Sequence, residues 1–187
     1  MARPLSEDKR HAILEAAMQL FAEEGLGAST SRIAKLAGVS EGTVFTYFSS
    51  KDVLMNQLYL DLKRQLRTAL VLPAGQLPLR DALWLAWQVY INWGIAHPQA
   101  YQALAKLALA PNISAATRAQ VSADFCEVSG LLAAAMASGI LQHQSADFVG
   151  ALLGAMANTT MEFMKHSPDA AQDLCEDGFA AFWKAIA

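Results

Sequence analysis

Apolar residues recur at helical spacing near the start of the chain. Ile13, Ala17 and Leu20 fall on one face of a helix, with polar residues between them. Ser6 stands before this pattern as a candidate N-cap, and Gly25 follows it, where a helix commonly ends. The pattern therefore predicts an amphipathic first helix between Ser6 and Gly25.

Two short helical patterns follow, joined by a tight turn. The first covers 31–37 and ends at Gly38, and the second begins after Ser40, a residue type that caps helices. Gly38 permits the positive backbone angle that lets two short helices cross closely. The small core beneath them is predicted to contain Ile33, Leu36, Val39 and Val44. The predicted arrangement is helix, turn, helix, and a fourth helix begins at Lys51.

The rest of the chain is also helical by pattern. Leucines at helical spacing predict a long helix to about residue 70, and a stretch containing Pro and Gly at 72–78 breaks it. The predicted helices beyond that break are 79–96, 98–109, 114–139, 145–166 and 168–186. No strand pattern stands out, so the predicted fold is all-α with about nine helices. We predict a first domain at 1–51, a connecting helix at 51–70 and a larger domain at 71–187.

Composition indicates whether the chain is an ordinary globular protein, a secreted one or a membrane protein. Of the 187 residues, 54% are hydrophobic and 17% are charged, which suits an ordinary core without disulfide bonds. Cys126 and Cys175 lie far apart and show no metal-ligand spacing. The first residues lack the apolar core of a signal peptide, and the apolar stretch 130–141 is too short to cross a bilayer. These features predict a cytoplasmic protein without a membrane span.

Charge argues against one mode of nucleic-acid binding. The formal net charge is −3, and the segment up to Lys51 carries six basic and six acidic residues. Proteins that coat nucleic acid without sequence preference need a large cationic surface. Any DNA binding by this chain must therefore rely on individually placed contacts.

The most specific motif of the chain lies at 29–51. It contains the run IAKLAGVSEGT, then the hydrophobic-aromatic pair Val44-Phe45, and then YFSSK. This segment resembles the DNA-binding segment of the TetR family of transcriptional regulators, and the resemblance is dense over about residues 6–55. It implies a helix-turn-helix regulator that binds operator DNA through this segment and dimerises through later helices.

The second short helix presents short or flat side chains on its outward face, as a probe of the major groove must. Thr43 and Thr46 are predicted to read base edges, and Lys51 to bind a phosphate at the start of its helix. Arg3 and Arg10 are candidates for supplementary contacts. The predicted DNA-binding residues are Thr30, Ser31, Ser40, Gly42, Thr43, Phe45, Thr46, Tyr47 and Lys51.

Two residues depart from the pattern of the resembled family. Glu41 stands where many relatives carry lysine, and Phe45 where tyrosine is frequent. A carboxylate near phosphates is repulsive, although it can accept a hydrogen bond from cytosine N4. We expect these two departures to change which operator sequence the protein binds and how tightly it binds DNA. The alternative interpretation of the whole set is that its Ser, Thr and Lys residues only cap helices and face solvent.

The larger domain is rich in bulky apolar residues. Trp84, Trp87 and Ile91 share one helical face and are candidates to line a cavity for an apolar or aromatic effector. Glu162 would face a cationic ligand if it were buried. Core packing explains the aromatic residues equally well, and a solvated position explains Glu162 better. The predicted pocket residues are Trp84, Trp87, Ile91, Tyr101, Phe125 and Glu162.

Small residues alternate with large apolar ones in the last two helices, a pattern that allows close helix packing. We expect these helices to form a two-fold homodimer, as the resemblance also implies. The predicted interface residues are Leu152, Met156, Phe179, Phe182 and Trp183. Two recognition helices would then meet successive major grooves of a palindromic operator.

The leading hypothesis is a repressor that a small hydrophobic or aromatic effector releases from DNA by shifting a conformational population. The alternative is a DNA-bound scaffold of the same fold that recruits a protein partner without an effector. An enzyme is not expected, because the four histidines are scattered and no catalytic motif occurs. No cofactor and no metal site are predicted.

Overall fold

Helices account for the regular structure of the chain. The computed structural model describes residues 6–71, 77–137 and 139–187, and within these ranges it contains ten α-helices, one short 3-10 helix and no strand. The α-helices are α1 (Glu7–Glu24), α2 (Thr30–Leu36), α3 (Glu41–Tyr47), α4 (Lys51–Ala69), α5 (Leu79–Ala96), α6 (Pro98–Ala108), α7 (Ala115–Asp124), α8 (Cys126–Met136), α9 (Ala146–His166) and α10 (Ala171–Ile186). The 3-10 helix, Pro168–Ala170, precedes α10. The predicted all-α fold is confirmed.

Two predictions fall outside the described residues. They are the supplementary contact from Arg3 and most of the predicted break at 72–78, of which 72–76 is not described. Among the helices that are described, none combines the length and the apolar character needed to span a membrane.

One predicted helix is two helices in the structure. The segment predicted as a single helix at 114–139 bends at Phe125, which lies between α7 and α8 with φ −108° and ψ 21°. The Phe125 N–H still donates to the Val121 carbonyl at 3.0 Å, and the Phe125 carbonyl accepts from Ser129 at 2.9 Å. The helical hydrogen bonds continue across the bend, so the bend requires neither Gly nor Pro. Neither residue occurs at 121–129, and the sequence therefore gives no sign of the bend.

The described chain forms two compact units, each built from two stretches of sequence. The first unit contains the residues up to Arg64 together with His97–Ala119, and the second contains Gln65–Ala96 together with Gln120–Ala187. This division differs from the predicted boundaries at residues 51 and 70. The difference arises because α6, predicted to belong to the larger domain, packs along α1.

The core of the first unit forms where α1 meets α2 and α6. Ile13, Phe21 and Leu104 are almost completely buried there. The ammonium of Lys106 on α6 reaches the end of α1 and donates to the carbonyls of Phe21 and Ala22 at 3.1 and 2.6 Å. Cations are favoured at helix C-termini, and α1 has no basic residue in its own last turn. Lys106 therefore supplies this charge from another helix.

A reciprocal amide cluster fastens the turn after α6 to the beginning of α4. The Asn56 side-chain amide donates to the Asn112 carbonyl, and its oxygen accepts from the Ser114 N–H, both at 2.9 Å. The Asn112 amide in turn donates to the Asp52 carboxylate at 2.9 Å. These bonds hold two segments more than fifty residues apart in sequence.

The second unit packs α5 against α8, α9 and α10. The Trp87 ring stacks on Phe182 with a centroid distance of 5.8 Å, and its indole N–H donates to the Cys175 carbonyl at 3.2 Å. Gly178 lets α10 approach α9 closely, since a β-carbon at this position would collide with the Thr160 side chain. Aromatic rings from α5 and α10 thus form the centre of this core.

Candidate DNA-binding site

Serine side chains start three consecutive helices. The hydroxyls of Ser29, Ser40 and Ser50 each accept a hydrogen bond from the backbone N–H three residues further on, at 3.3, 3.1 and 3.2 Å. Each satisfies one of the N–H groups that a helix start leaves without a partner. Ser6, also predicted as a cap, makes no such side-chain bond.

The turn between α2 and α3 has the geometry predicted for Gly38. Its φ is +67°, a left-handed conformation that favours glycine. The Gly38 N–H donates to the Lys35 carbonyl, and the Val39 N–H donates to the Ala34 carbonyl at 3.0 Å. These two bonds make a Schellman motif, which ends α2 and directs the chain into α3.

Helix α3 is anchored on one side and open on the other. Val44 is 1% exposed and packs into the first unit together with Ile33, as predicted. On the opposite side Ser40, Gly42, Phe45 and Thr46 are exposed, and Thr43 is half-buried. Leu36 corrects one prediction, since it is 47% exposed and borders a shallow groove formed with α1 and α6.

The two threonines predicted to read bases are hydrogen-bonded within their own helix. The Thr46 hydroxyl donates to the Gly42 carbonyl at 2.9 Å, and the Thr43 hydroxyl lies 2.8 Å from that of Ser40. A threonine bound in this way keeps its methyl group and oxygen lone pairs for other contacts. Thr46 in this conformation is therefore an acceptor and an apolar contact, not a donor.

Tyr47 and Lys51 lie at the junction of α3 and α4. The Tyr47 hydroxyl oxygen accepts from the Ser6 N–H at 2.8 Å, so its own proton remains available to an acceptor such as phosphate. The Lys51 ammonium lies 5.9 Å from the centre of the Phe21 ring, in the first turn of α4. The helix dipole disfavours a cation there unless an anion is also bound.

Thr30 has a partner that the sequence motif does not indicate. Its hydroxyl donates to the carboxylate of Glu41 at 2.6 Å, a bond between residues eleven apart in the chain. Ser31 beside it is exposed. Arg10, a candidate for supplementary DNA contact, instead donates to Gln57 and pairs with Asp61 within the protein.

The residues predicted to line an effector pocket are divided between the two units. Tyr101 belongs to the first unit, while the other five belong to the second. Trp87 and Ile91 are 2% and 0% exposed and lie in the core, and Trp84 packs on Phe179. Phe125 occupies the bend between α7 and α8. Trp87 and Ile91 are therefore core residues and not pocket-lining ones.

Glu162 occupies the solvated position that the sequence favoured. Its carboxylate accepts from the Lys165 ammonium at 2.7 Å, and 45% of its side chain is exposed. The ion pair lies on one surface turn of α9. Glu162 is therefore not a buried carboxylate facing a ligand.

The predicted dimer residues divide into two groups. Phe179 and Phe182 are 2% and 1% exposed, so their own chain covers them and they have no surface to offer a partner. This corrects their assignment to an interface. Leu152, Met156 and Trp183 remain partly exposed.

A short capped helix held by a Schellman turn against a second helix defines a helix-turn-helix module of DNA-binding proteins. Comparisons with known proteins show which family this module resembles. The sequence profile described as bacterial regulatory proteins, tetR family, matches residues 13–58. Residues 13–58 of this chain therefore form a domain similar to the DNA-binding domain of the tetR family of bacterial regulatory proteins.

Individual relatives show where the similarity lies. The uncharacterized HTH-type transcriptional regulator YhgD of Bacillus subtilis is 36% identical over 64 residues, which is 34% of each chain. The matched stretch thus spans about a third of the curated relative. A tetR family transcription regulator of known structure from Shewanella sp. PV-4 is 28% identical, with a TM-score of 0.77 over 96% of this chain and 98% of that one. The transcriptional regulator FadR of Bacillus subtilis, solved in complex with stearoyl-CoA, is 15% identical with a TM-score of 0.61 over 95% and 100%.

Proposed function

We propose that this chain is a homodimeric transcriptional repressor that inserts α3 into the major groove of a palindromic operator. The observation that carries the proposal is the two-sided character of α3. Val44 fixes one side in the core, while the other side exposes short side chains through which the backbone can approach base edges. Lys51 and the Tyr47 hydroxyl flank this face as phosphate contacts.

Binding-site selection from a randomised double-stranded DNA library tests the proposal. Wild-type protein is expected to enrich one palindromic sequence. Replacing Lys51 with Ala should weaken binding to every sequence alike, whereas Thr46→Ala should change which sequence is preferred. Lys184→Ala, in the last helix, is the matched control for the lost charge. An unchanged preference in Thr46→Ala would remove Thr46 from the recognition surface.

The outer face of α9 supports the homodimer. Phe148 and Phe163 are 50% and 59% exposed, and at helical spacing they share a side of α9 with Leu152. These two rings stand near opposite ends of α9, and an apolar side that extends along a helix in this way can form a protein interface. The proposed interface therefore lies on this face of α9 and does not include Phe179 and Phe182.

Molar mass measured by light scattering tests this interface. Phe163→Glu places an unpaired charge in the proposed contact and should convert the dimer to a monomer at micromolar concentration. Gln172→Glu adds the same charge to the exposed side of α10 and should leave the dimer intact. A dimeric Phe163→Glu variant would exclude this face.

A small hydrophobic or aromatic effector is the second part of the proposal. The second unit is rich in aromatic and methionine side chains, and the structurally similar FadR was solved with an acyl thioester bound. All four tryptophans lie in the second unit, so their fluorescence reports on it. Saturable quenching by one compound class, together with release from DNA, would identify the effector class.

The close packing of Trp87 and Ile91 in the core favours a second candidate function, the DNA-bound scaffold without an effector. The two functions differ in one measurement. A scaffold binds its operator with the same affinity in the presence of every compound of a panel of acyl thioesters, aromatic acids and hydrophobic cations. An effector-controlled repressor loses affinity with one of them.

A further inference from the structure

Glu41 is the sole acidic residue in the sequence from Ser29 to Lys51, which otherwise carries three basic residues. It is the first residue of α3 and is exposed. In helix-turn-helix proteins the N-terminal residues of the recognition helix contact base edges. A negative charge therefore stands where the chain would come closest to DNA.

The carboxylate of Glu41 is held by one bond and has capacity for others. Thr30, the first residue of α2, donates to Oε1, so the bond joins the starts of the two helices of the motif. Among the described residues, no other hydrogen bond and no cation engages this carboxylate. A carboxylate has about four lone-pair sites for acceptance. Most of them remain open on the exposed side of α3.

Two of the three basic residues of this segment contact groups other than Glu41. Arg32 pairs with Glu24 at the end of α1, and the Lys51 ammonium lies over the Phe21 ring. Within the described residues Glu41 therefore has no ion pair, and only the start of α3 and the Thr30 hydroxyl stabilise its charge. Near DNA phosphates such a charge lowers affinity for every sequence unless a donor on the DNA meets it.

The donors of the major groove are few. Cytosine presents its N4 amino group without an acceptor on the same edge, whereas adenine presents N6 beside the acceptor N7, which repels a carboxylate. We propose that Glu41 is a specificity-determining residue that accepts a hydrogen bond from cytosine N4, and that Thr30 is the residue that positions its carboxylate. This inference rests on the proposed function.

The experiment begins with selection from a randomised double-stranded DNA library by the full-length protein. Affinities for the selected duplex and for its single-position variants are then measured by fluorescence anisotropy. Glu41→Ala, Glu41→Gln, Thr30→Val and Thr30→Ser are compared with the wild type. Glu176→Gln removes the same charge from the second unit and is the matched control. Thermal melting of each variant establishes that it is folded.

The wild type is expected to prefer cytosine at one position of each half-site by about fivefold or more over the other bases. Glu41→Ala should abolish that preference and bind unrelated DNA more tightly. Glu41→Gln should shift the preference to adenine, because an amide can pair with both N6 and N7. Thr30→Val should reduce the discrimination at this position, and Thr30→Ser should restore it.

Two results overturn the inference while leaving the proposed function in place. In the first, a folded Glu41→Ala variant keeps the cytosine preference, which would reduce the bond with Thr30 to a structural brace. In the second, the wild type selects an operator without a cytosine preference that depends on Glu41. Failure of the proposed function is a different result, in which the wild type enriches no sequence.

Discussion

The amide cluster around Asn56 offers a sharp test of how the first unit is held together. Replacing Asn56 with Ala removes the bonds to the Asp52 and Asn112 carbonyls, at 2.7 and 2.9 Å, and leaves the Ser114 N–H without its acceptor. A hydrogen bond contributes about 0.5–1.5 kcal/mol, and the lower half of that range applies because the cluster is at the surface. Three such bonds give a loss of about 1.5–3 kcal/mol.

For a chain of this size each kcal/mol lowers the Tm by about 2–4 °C, so Asn56→Ala should melt roughly 3–12 °C below the wild type. Differential scanning calorimetry measures this shift. Asn158→Ala is the matched control, since Asn158 is an exposed residue inside α9 and the same change there corrects for helix propensity. Equal melting temperatures of the two variants would show that the cluster does not stabilise the unit.

Two further substitutions and one labelling experiment have defined outcomes. Ser40→Ala removes the cap of α3 and should cost about 1 kcal/mol in the free energy of unfolding, measured by urea titration; an unchanged midpoint would contradict the cap. Gly178→Ala forces a β-carbon against Thr160 and should destabilise the second unit by about 1–3 kcal/mol, a loss that Thr160→Ala should partly relieve in the double variant. Burial raises the pKa of the Cys175 thiol, so at pH 8 little thiolate forms there, and mass spectrometry should find iodoacetamide on the exposed Cys126 first. Faster labelling of Cys175 would contradict this.

Features that depend on neighbouring residues could be predicted from the sequence. Ser40 and Gly38 act within four residues of their own position, so the cap and the turn follow from residue type alone. The bend at Phe125 is local too, but it could not be predicted, because its hydrogen bonds are helical and it needs no special residue. Nothing in the apolar pattern distinguishes it from a straight helix.

Features that depend on distant partners could not be predicted in the same way. The side of α10 that carries Phe179 and Phe182 is apolar, and such a side packs equally well on α5 of its own chain or on a second copy. The bond between Thr30 and Glu41 joins side chains eleven residues apart, and its existence depends on the crossing of α2 and α3. Helical spacing indicates that a residue is buried but does not say against what.

The packing of α6 along α1 has a consequence for gene fusion. The residues that complete the first unit are encoded in two separate stretches, with His97–Ala119 in the second. Consider a hybrid protein that takes the residues up to 51 or 64 from this chain and the rest from another protein. It would contain Ile13 and Phe21 but not the α6 that covers them, and the corresponding helix of the other protein would have to pack on them instead. Under the proposed function, operator specificity is therefore more safely changed by substitutions on α3 than by exchange of the N-terminal segment.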